Sequence, residues 1–144
     1  MAITTMQPAS TWSITRTSAT ARSVFAFGAY AVLLGGSLAF VPGFVLDLLR
    51  LPGGGEHWAR VAGLVVMGIG LYDFVGARHE LTPFMHATAY GRYGFALAMT
   101  VLVFAVPMPR PLLIVAAIDV ASATWTLLAV RHDARTNPDR RAVA

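Results

Sequence analysis

Three charged side chains, Asp73, Arg92 and Asp119, fall within or at the edge of long apolar stretches of the chain. A charged group left unpaired in hydrocarbon costs several kcal/mol, so such residues are kept for pairing, ligand binding or proton transfer. Asp73 and Arg92 lie near the neighbouring ends of two successive stretches, where a carboxylate and a guanidinium can form an ion pair. They are the first candidates for chemistry.

Two interpretations of the Asp73 and Arg92 pair stay open. The pair can simply hold two helices together, or Arg92 can bind an anionic or carbonyl-bearing ligand between Tyr72 and Trp125 as walls. Counting 1.5 Å per helical residue places several polar and aromatic residues within roughly 10 Å of the same span boundary. The predicted ligand-binding residues are Arg92, Asp73, Tyr72, Trp125, Thr126 and Tyr30.

Asp119 is predicted to lie deeper, about 10 Å from the other end of the last apolar stretch. No arginine reaches it easily, since Arg60 has a ready partner in Glu56 one turn earlier. An unpaired carboxyl at that depth is expected to be neutral and to donate a hydrogen bond to a hydroxyl such as Thr100. Asp119 is therefore a candidate for proton handling, or else a residue that only ties helices together.

The absence of cysteine and the positions of the histidines argue against thiol, haem and metal chemistry. The chain has no cysteine, which excludes disulfides, thiolate catalysis and cysteine-bound metal. Its four histidines fall outside the apolar stretches, and no two share the spacing that a bis-histidine haem needs. His79, Glu80 and His86 could hold a metal ion in one loop, but a solvated polar loop is the simpler interpretation. We expect no metal and no cofactor.

The composition predicts a membrane environment for these residues. Of 144 residues, 56% are hydrophobic and only 12% are charged, with a mean hydropathy of +0.63. Soluble domains carry about twice that share of charge. The net charge is +4 and every basic residue is Arg, but no basic run is present that would bind nucleic acid. The lipid bilayer is the predicted partner.

Four apolar stretches can each cross a bilayer once, at 24–41, 61–77, 90–106 and 112–130. Each is about 17 to 19 residues long, or roughly 25–29 Å as a helix, close to the hydrocarbon thickness. Their apolar residues are continuous instead of alternating, which favours helices over a barrel. The fold class is therefore all-α, an integral membrane four-helix bundle at 22–131, with cytoplasmic tails at 1–21 and 132–144.

The connections and the glycines predict how the spans are arranged. Pro42 ends the first span, and residues 44–50 are predicted to form a short interfacial helix or a re-entrant turn. A proline-rich hairpin at 107–111 joins the last two spans. Gly28 and Gly35 are seven residues apart, and so are Gly63 and Gly70, so each pair lies on one face of its helix. This predicts close packing of the first two spans.

The arginine distribution predicts the orientation. Eight arginines fall on the side of the two tails and three on the other side. The first set is Arg16, Arg22, Arg78, Arg92, Arg131, Arg135, Arg140 and Arg141, and the second is Arg50, Arg60 and Arg110. Because basic residues concentrate on the cytoplasmic side, both termini are predicted to be cytoplasmic.

Several short motifs resemble a known group of proteins. They are Pro42 through Leu51-Pro52, Trp58 to Gly63, Gly70 to Asp73, Phe84, Gly91-Arg92, and Asp119 with Ala123 to Trp125-Thr126. Over about Ala29 to Arg131 the chain resembles small bacterial four-span membrane proteins of the DoxX-like kind. The resemblance implies a bacterial inner membrane protein in a functionally diverse group, which includes proteins thought to accompany membrane oxidoreductases. It implies no catalytic residue set.

Three functions follow as hypotheses. The first is an accessory or anchoring membrane protein that binds a lipophilic ligand, a membrane protein partner or a second copy of itself. The second is a small enzyme acting on a lipid-soluble substrate, with Asp119 as acid and Asp73 or Tyr72 as the second group. The third is a proton-coupled carrier or channel with Asp119 as the proton site.

Overall fold

The computed structural model describes residues 18–52 and 55–136, and this part of the chain contains five helices and no strand. The helices are α1 (Ala19–Phe40), α2 (Pro42–Leu48), α3 (Glu56–Arg78), α4 (Thr82–Ala105) and α5 (Leu112–Thr136). The predicted all-α class is confirmed for these residues. Most of the two predicted tails, at 1–17 and 137–144, lies outside them.

Three of the helices, α1, α3 and α5, are long and apolar enough to cross a membrane. Large apolar side chains such as Leu33, Leu97 and Phe104 are exposed on the outer faces of the helices. These features indicate a membrane protein. Helix α4 has 24 residues and carries Arg92 and Tyr93 in its first half, and it is not among these three.

The helices extend beyond the apolar stretches that predict them. Helix α1 begins at Ala19 within the predicted tail, and α4 begins at Thr82, eight residues before the predicted span. A helix can continue past the apolar region because its backbone hydrogen bonds do not depend on apolar side chains. The predicted polar loop before the third span is therefore wrong, and His86 lies on α4 instead of in a loop with His79.

Only residues 79–81 connect α3 to α4. Glu80 has a left-handed backbone with φ of 49°, and the Leu81 amide donates to the Gly76 carbonyl at 3.1 Å. This is the hydrogen-bond pattern that often closes a helix C-terminus. The ring of Phe84 covers the face of Gly76, so the two helices are held close together at this end.

Glycines set the contact between α1 and α3, which pack against each other more extensively than any other pair of helices. A Cβ at Gly35 would lie 2.6 Å from the Gly63 carbonyl oxygen, and a Cβ at Gly70 would lie 2.7 Å from the Gly28 carbonyl oxygen. The backbones approach so closely that no side chain fits between them. The predicted close packing of the first two spans is confirmed.

The other helices complete the bundle around α1. Helix α5 packs on both α1 and α4, whereas α3 and α4 touch each other much less. The bundle therefore has one side, between α3 and α4, where the helices are only loosely joined. This side borders the candidate site described below.

Arg60 joins the opposite end of the α1 and α3 pair. Its Nη1 donates to the Ala39 carbonyl at 2.7 Å, which satisfies one of the last carbonyls of α1. The predicted pairing of Arg60 with Glu56 is wrong, because the guanidinium reaches across to α1 instead of along its own helix. Pro42 begins α2 directly after α1 and is buried.

Asp133 caps the start of α1 from the end of α5, outside the predicted span 112–130. Its carboxylate accepts hydrogen bonds from the Thr20 amide at 2.9 Å, the Thr20 hydroxyl at 2.7 Å and the Ala19 amide at 3.3 Å. Partial burial alone would raise the pKa of Asp133, but these hydrogen bonds together outweigh it and lower the pKa below its ordinary value. The cap therefore depends on an ionised carboxylate.

We expect Gly35→Ala to destabilise the protein by about 1–3 kcal/mol, because the new methyl group would overlap backbone atoms of α3. Gly36→Ala is the matched control, since no atom lies within 4 Å of a Cβ at that position. It should leave stability unchanged or raise it by up to about 1 kcal/mol through helix propensity. Thermal unfolding in detergent measures both, and equal effects would contradict the close-packing interpretation.

We expect Asp133→Asn to lower stability at neutral pH by about 1 kcal/mol, because it removes a negative charge from a helix N-terminus. Since the folded-state pKa is lowered, the wild-type advantage is present above the unfolded-state value near pH 4 and is lost as the pH falls through the folded-state pKa. Unfolding midpoints measured across this range should converge at low pH. Asp47→Asn, an exposed carboxyl on α2, should not reproduce this convergence.

Candidate functional site

A cavity of about 330 Å³ lies between α1, α3, α4 and α5. Its surface is mostly apolar, with polar groups contributed by Tyr30, Thr88, Arg92 and Asp119. The full lining is Phe27, Tyr30, Ala31, Leu34, Val66, Ile69, Thr88, Gly91, Arg92, Phe95, Val115 and Asp119. An apolar cavity with a few convergent polar groups is the usual form of a small-molecule site.

The exposed residues of the cavity lining come from α3 and α4. Ile69 on α3 and Phe95 on α4 border the cavity and are each about half exposed on the outer surface. Gly91, which also lines the cavity, has no side chain to close it. The opening therefore lies along the side of the bundle where α3 and α4 are loosely joined.

Arg92 contributes the only guanidinium to this lining and is 4% exposed. Its Nη2 lies 3.4 Å from Asp73 Oδ2 and 3.4 Å from the Thr88 hydroxyl, and its Nη1 lies 3.4 Å from the Thr126 hydroxyl. The Arg92 Cζ stands 3.6 Å from the centre of the Phe27 ring, a cation–π contact. The charge is thus surrounded by protein on several sides.

Asp73, which is 1% exposed, balances this charge from α3. The ion pair predicted between Asp73 and Arg92 is confirmed. Thr88 donates to the second carboxylate oxygen of Asp73 at 3.0 Å, while Ser23 on α1 donates to Thr126 at 3.2 Å. The polar network therefore joins all four long helices.

Ser23 and Thr88 were not predicted from the sequence as site residues. Ser23 lies one residue before the first predicted span, and Thr88 lies two residues before the third. Ser23 therefore lies between the predicted tail at 1–21 and the first predicted span, and Thr88 lies in the segment predicted to be a loop. A signal does exist for Thr88, which lies one helical turn before Arg92 and therefore on the same helix face.

The hydrogen bonds of Arg92 leave part of its donor capacity unused. Its three hydrogen bonds, all at 3.4 Å, are longer than the 2.7–2.9 Å typical of charge-assisted hydrogen bonds. Its Nε is buried and has no hydrogen-bond partner among the described residues. A buried donor without a partner is costly to the folded state.

Asp119 also lines the cavity and is 5% exposed. Arg92 lines the same cavity, but no salt bridge joins its guanidinium to Asp119 within the described residues. The expected hydrogen bond to Thr100 is not formed, since the Thr100 hydroxyl donates to the Ala96 carbonyl of its own helix at 2.7 Å. The count of residues from the span ends predicts a similar depth for Asp119 and Thr100. In the structure Thr100 faces a different groove, beside Tyr93.

Tyr72 and Trp125 do not line the cavity, and their predicted role as its walls is wrong. They are 70% and 54% exposed on the outer surface. Each directly precedes a buried residue of the network, Asp73 or Thr126, and successive residues of a helix point about 100° apart. Tyr30, by contrast, is half-buried and lines the cavity as predicted. Tyr72 is therefore not placed to act with Asp119.

Metal ligands are not grouped anywhere in the described part of the chain, where no three His, Asp or Glu side chains converge. The arrangement supports different chemistry. Arg92 can donate hydrogen bonds to a carbonyl, carboxylate or other acceptor, and Asp119 can accept or donate one depending on its protonation. No protein-family model, no curated protein and no solved structure matches the chain.

We expect Arg92→Gln to destabilise the protein by about 3–5 kcal/mol, because it leaves the Asp73 carboxylate buried without its counter-charge. Adding Asp73→Asn should restore most of that loss, since the amide keeps an acceptor for Thr88 and carries no charge. Thermal or denaturant unfolding of both single variants and the double variant gives the coupling energy. Purely additive effects would show that the two residues do not act as a pair.

Proposed function

We propose that the chain is a four-span inner membrane protein of a bacterium, with α1, α3, α4 and α5 as the spans and both termini in the cytoplasm. The packing of α4 against α5 supports the fourth span, since two packed helices of 24 and 25 residues can cross the same thickness. The internal pairing of Arg92 supports it too, because the charge does not face lipid. Helix α2 lies at the outer interface in this arrangement, with Phe44 and Leu48 exposed.

We infer that the bundle binds a lipophilic molecule carrying a hydrogen-bond acceptor, and that it acts as an accessory or anchoring protein of the DoxX-like kind. The observation that carries this proposal is that Arg92 lines a mostly apolar cavity while its three hydrogen bonds to protein groups are all long, at 3.4 Å. The apolar walls suit a hydrocarbon body, while Arg92 suits a carbonyl or carboxylate group.

The sideways opening supports a ligand that arrives from the bilayer. Ile69 and Phe95 border the opening with apolar surface, so a lipophilic molecule can pass without losing contact with apolar groups. A water-soluble ligand would gain nothing from this route. The proposed ligand class is therefore a membrane-dissolved carbonyl or carboxylate compound.

Thermal unfolding in detergent with oleate or 1-octadecene tests the proposed role of Arg92. Oleate carries the acceptor and octadecene does not, so oleate should raise the wild-type midpoint more. In the Arg92→Gln/Asp73→Asn double variant, oleate affinity should fall tenfold or more, because a hydrogen bond to a charged group contributes about 1.5–3 kcal/mol. Octadecene should act equally on both proteins.

A pair of glycine variants tests the cavity itself. Gly91 and Gly94 on α4 both have open space around a Cβ, but only Gly91 lines the cavity. Gly91→Leu should abolish stabilisation by oleate, and Gly94→Leu should preserve it. If oleate stabilises Gly91→Leu and the double variant as strongly as the wild type, the cavity is not the binding site.

A second candidate function is acid–base catalysis on the bound molecule, and the position of Asp119 in the cavity lining favours it. Mass spectrometry of small molecules retained from the host membrane tests this function. Catalysis predicts that Asp119→Asn retains a different compound, the unconverted substrate, in place of the product. Retention of the same compound by both proteins favours binding alone.

A further inference from the structure

A second possible site lies on the outer surface of the α1 and α3 pair, at the end where α1 begins and α3 ends. A groove of about 540 Å³ runs between these helices, and its lining residues come equally from both. They are Ala21, Arg22 and Phe25 on α1, and Phe74, Ala77 and Arg78 on α3. None of them lines the central cavity.

The two arginines face the same groove because of the antiparallel register of the helices. The register that brings Gly28 against Gly70 also brings Phe25 against Phe74 and places Arg22 and Arg78 together at the rim. Both arginines are exposed. Within the described residues neither side chain takes part in a salt bridge.

The floor of the groove is aromatic. The rings of Phe25 and Phe74 lie 4.7 Å apart between their centroids, and Phe25 is about half exposed. Along the helix axes the two rings lie about 5 Å further into the predicted spans than the guanidinium-bearing residues. The groove therefore has a doubly positive rim and an apolar interior, in the order that a lipid has its headgroup and chains.

Within residues 18–52 and 55–136, the acidic groups at this end of the bundle lie away from the rim. Asp133 accepts hydrogen bonds from Ala19 and Thr20, and Glu80 accepts one from the Ser18 amide at 3.0 Å. These two carboxylates line a separate small pocket on the other side of α1. Neither lines the groove of Arg22 and Arg78.

We propose that this groove binds an anionic phospholipid, with its phosphodiester between Arg22 and Arg78 and an acyl chain against Phe25 and Phe74. Guanidinium groups bind phosphate oxygens with bidentate hydrogen bonds. Basic pockets between membrane helices are suited to anionic headgroups, and each arginine near the surface adds to the attraction. This site is independent of the ligand proposed for the central cavity.

Lipid retention by the full-length protein tests the proposal. The protein is reconstituted into phosphatidylcholine vesicles containing a minor fraction of phosphatidylglycerol, extracted in mild detergent, and analysed for bound lipid by native mass spectrometry. The wild type should retain phosphatidylglycerol preferentially. Arg22→Gln/Arg78→Gln should retain it about tenfold less, and its unfolding midpoint in pure phosphatidylcholine should match the wild type.

Arg131→Gln/Arg135→Gln is the matched control, because it removes the same charge from exposed positions of α5 that do not line the groove. This variant should retain phosphatidylglycerol like the wild type. Equal losses in the two double variants, or no loss in Arg22→Gln/Arg78→Gln, would overturn the proposal.

Glycerol phosphate separates a lipid site from a simple anion site, since it has the charged group without the acyl chains. It should fail to displace bound phosphatidylglycerol, and Phe25→Ala should reduce retention although it changes no charge. Displacement by glycerol phosphate at concentrations comparable to those of the lipid would overturn the assignment to a phospholipid.

Discussion

A guanidinium buried among four helices must find its acceptors within the protein, and this constraint governs the centre of the bundle. Arg92 is 4% exposed, and its contacts come from Asp73 on α3, Thr126 on α5 and Thr88 on its own helix. Ser23 connects α1 to the same network through Thr126. Rotation of α3 or α5 would remove an acceptor of Arg92, and rotation of α1 would remove the hydrogen bond from Ser23, so the network favours one mutual orientation of the helices.

The contact between α1 and α3 supplies the rigidity that this network needs. Close backbone approach at Gly28, Gly35, Gly63 and Gly70 fixes the register of the two helices without large side chains. With α1 and α3 fixed, α5 packs on α1, and α4 packs on α5. The cavity lies beside α3 and α4, the successive long helices that contact each other least.

Much of this architecture can be predicted from the sequence, because it depends on patterns along a single helix. Continuous apolar stretches predict the long helices, and the seven-residue spacing of Gly28 and Gly35 predicts the close contact. The Asp73 and Arg92 pair is predictable because the two residues are near in sequence and complementary in charge. Helix ends are less predictable, since the cap of α1 depends on Asp133, which is 113 residues away from Thr20.

The wrong predictions for residues of the site have a common physical cause. Counting residues from a span end gives depth, but it does not give the direction in which a side chain points around the helix. Tyr72 and Trp125 lie at the level of the network yet face outward, and Thr100 lies near the level of Asp119 yet faces another groove. Rotation depends on contacts with other helices, which a single sequence does not reveal.

The short connection between α3 and α4 has a consequence for the size of the cavity mouth. At residues 79–81 the two helices are fastened together by the turn at Glu80 and by Phe84 against Gly76. Further along, they are loosely joined. A small change in the angle between α3 and α4 at residues 79–81 therefore gives a larger change in their separation at the cavity mouth. For the ligand that we propose, the width of the opening would then depend on this three-residue turn as well as on the residues that line the cavity.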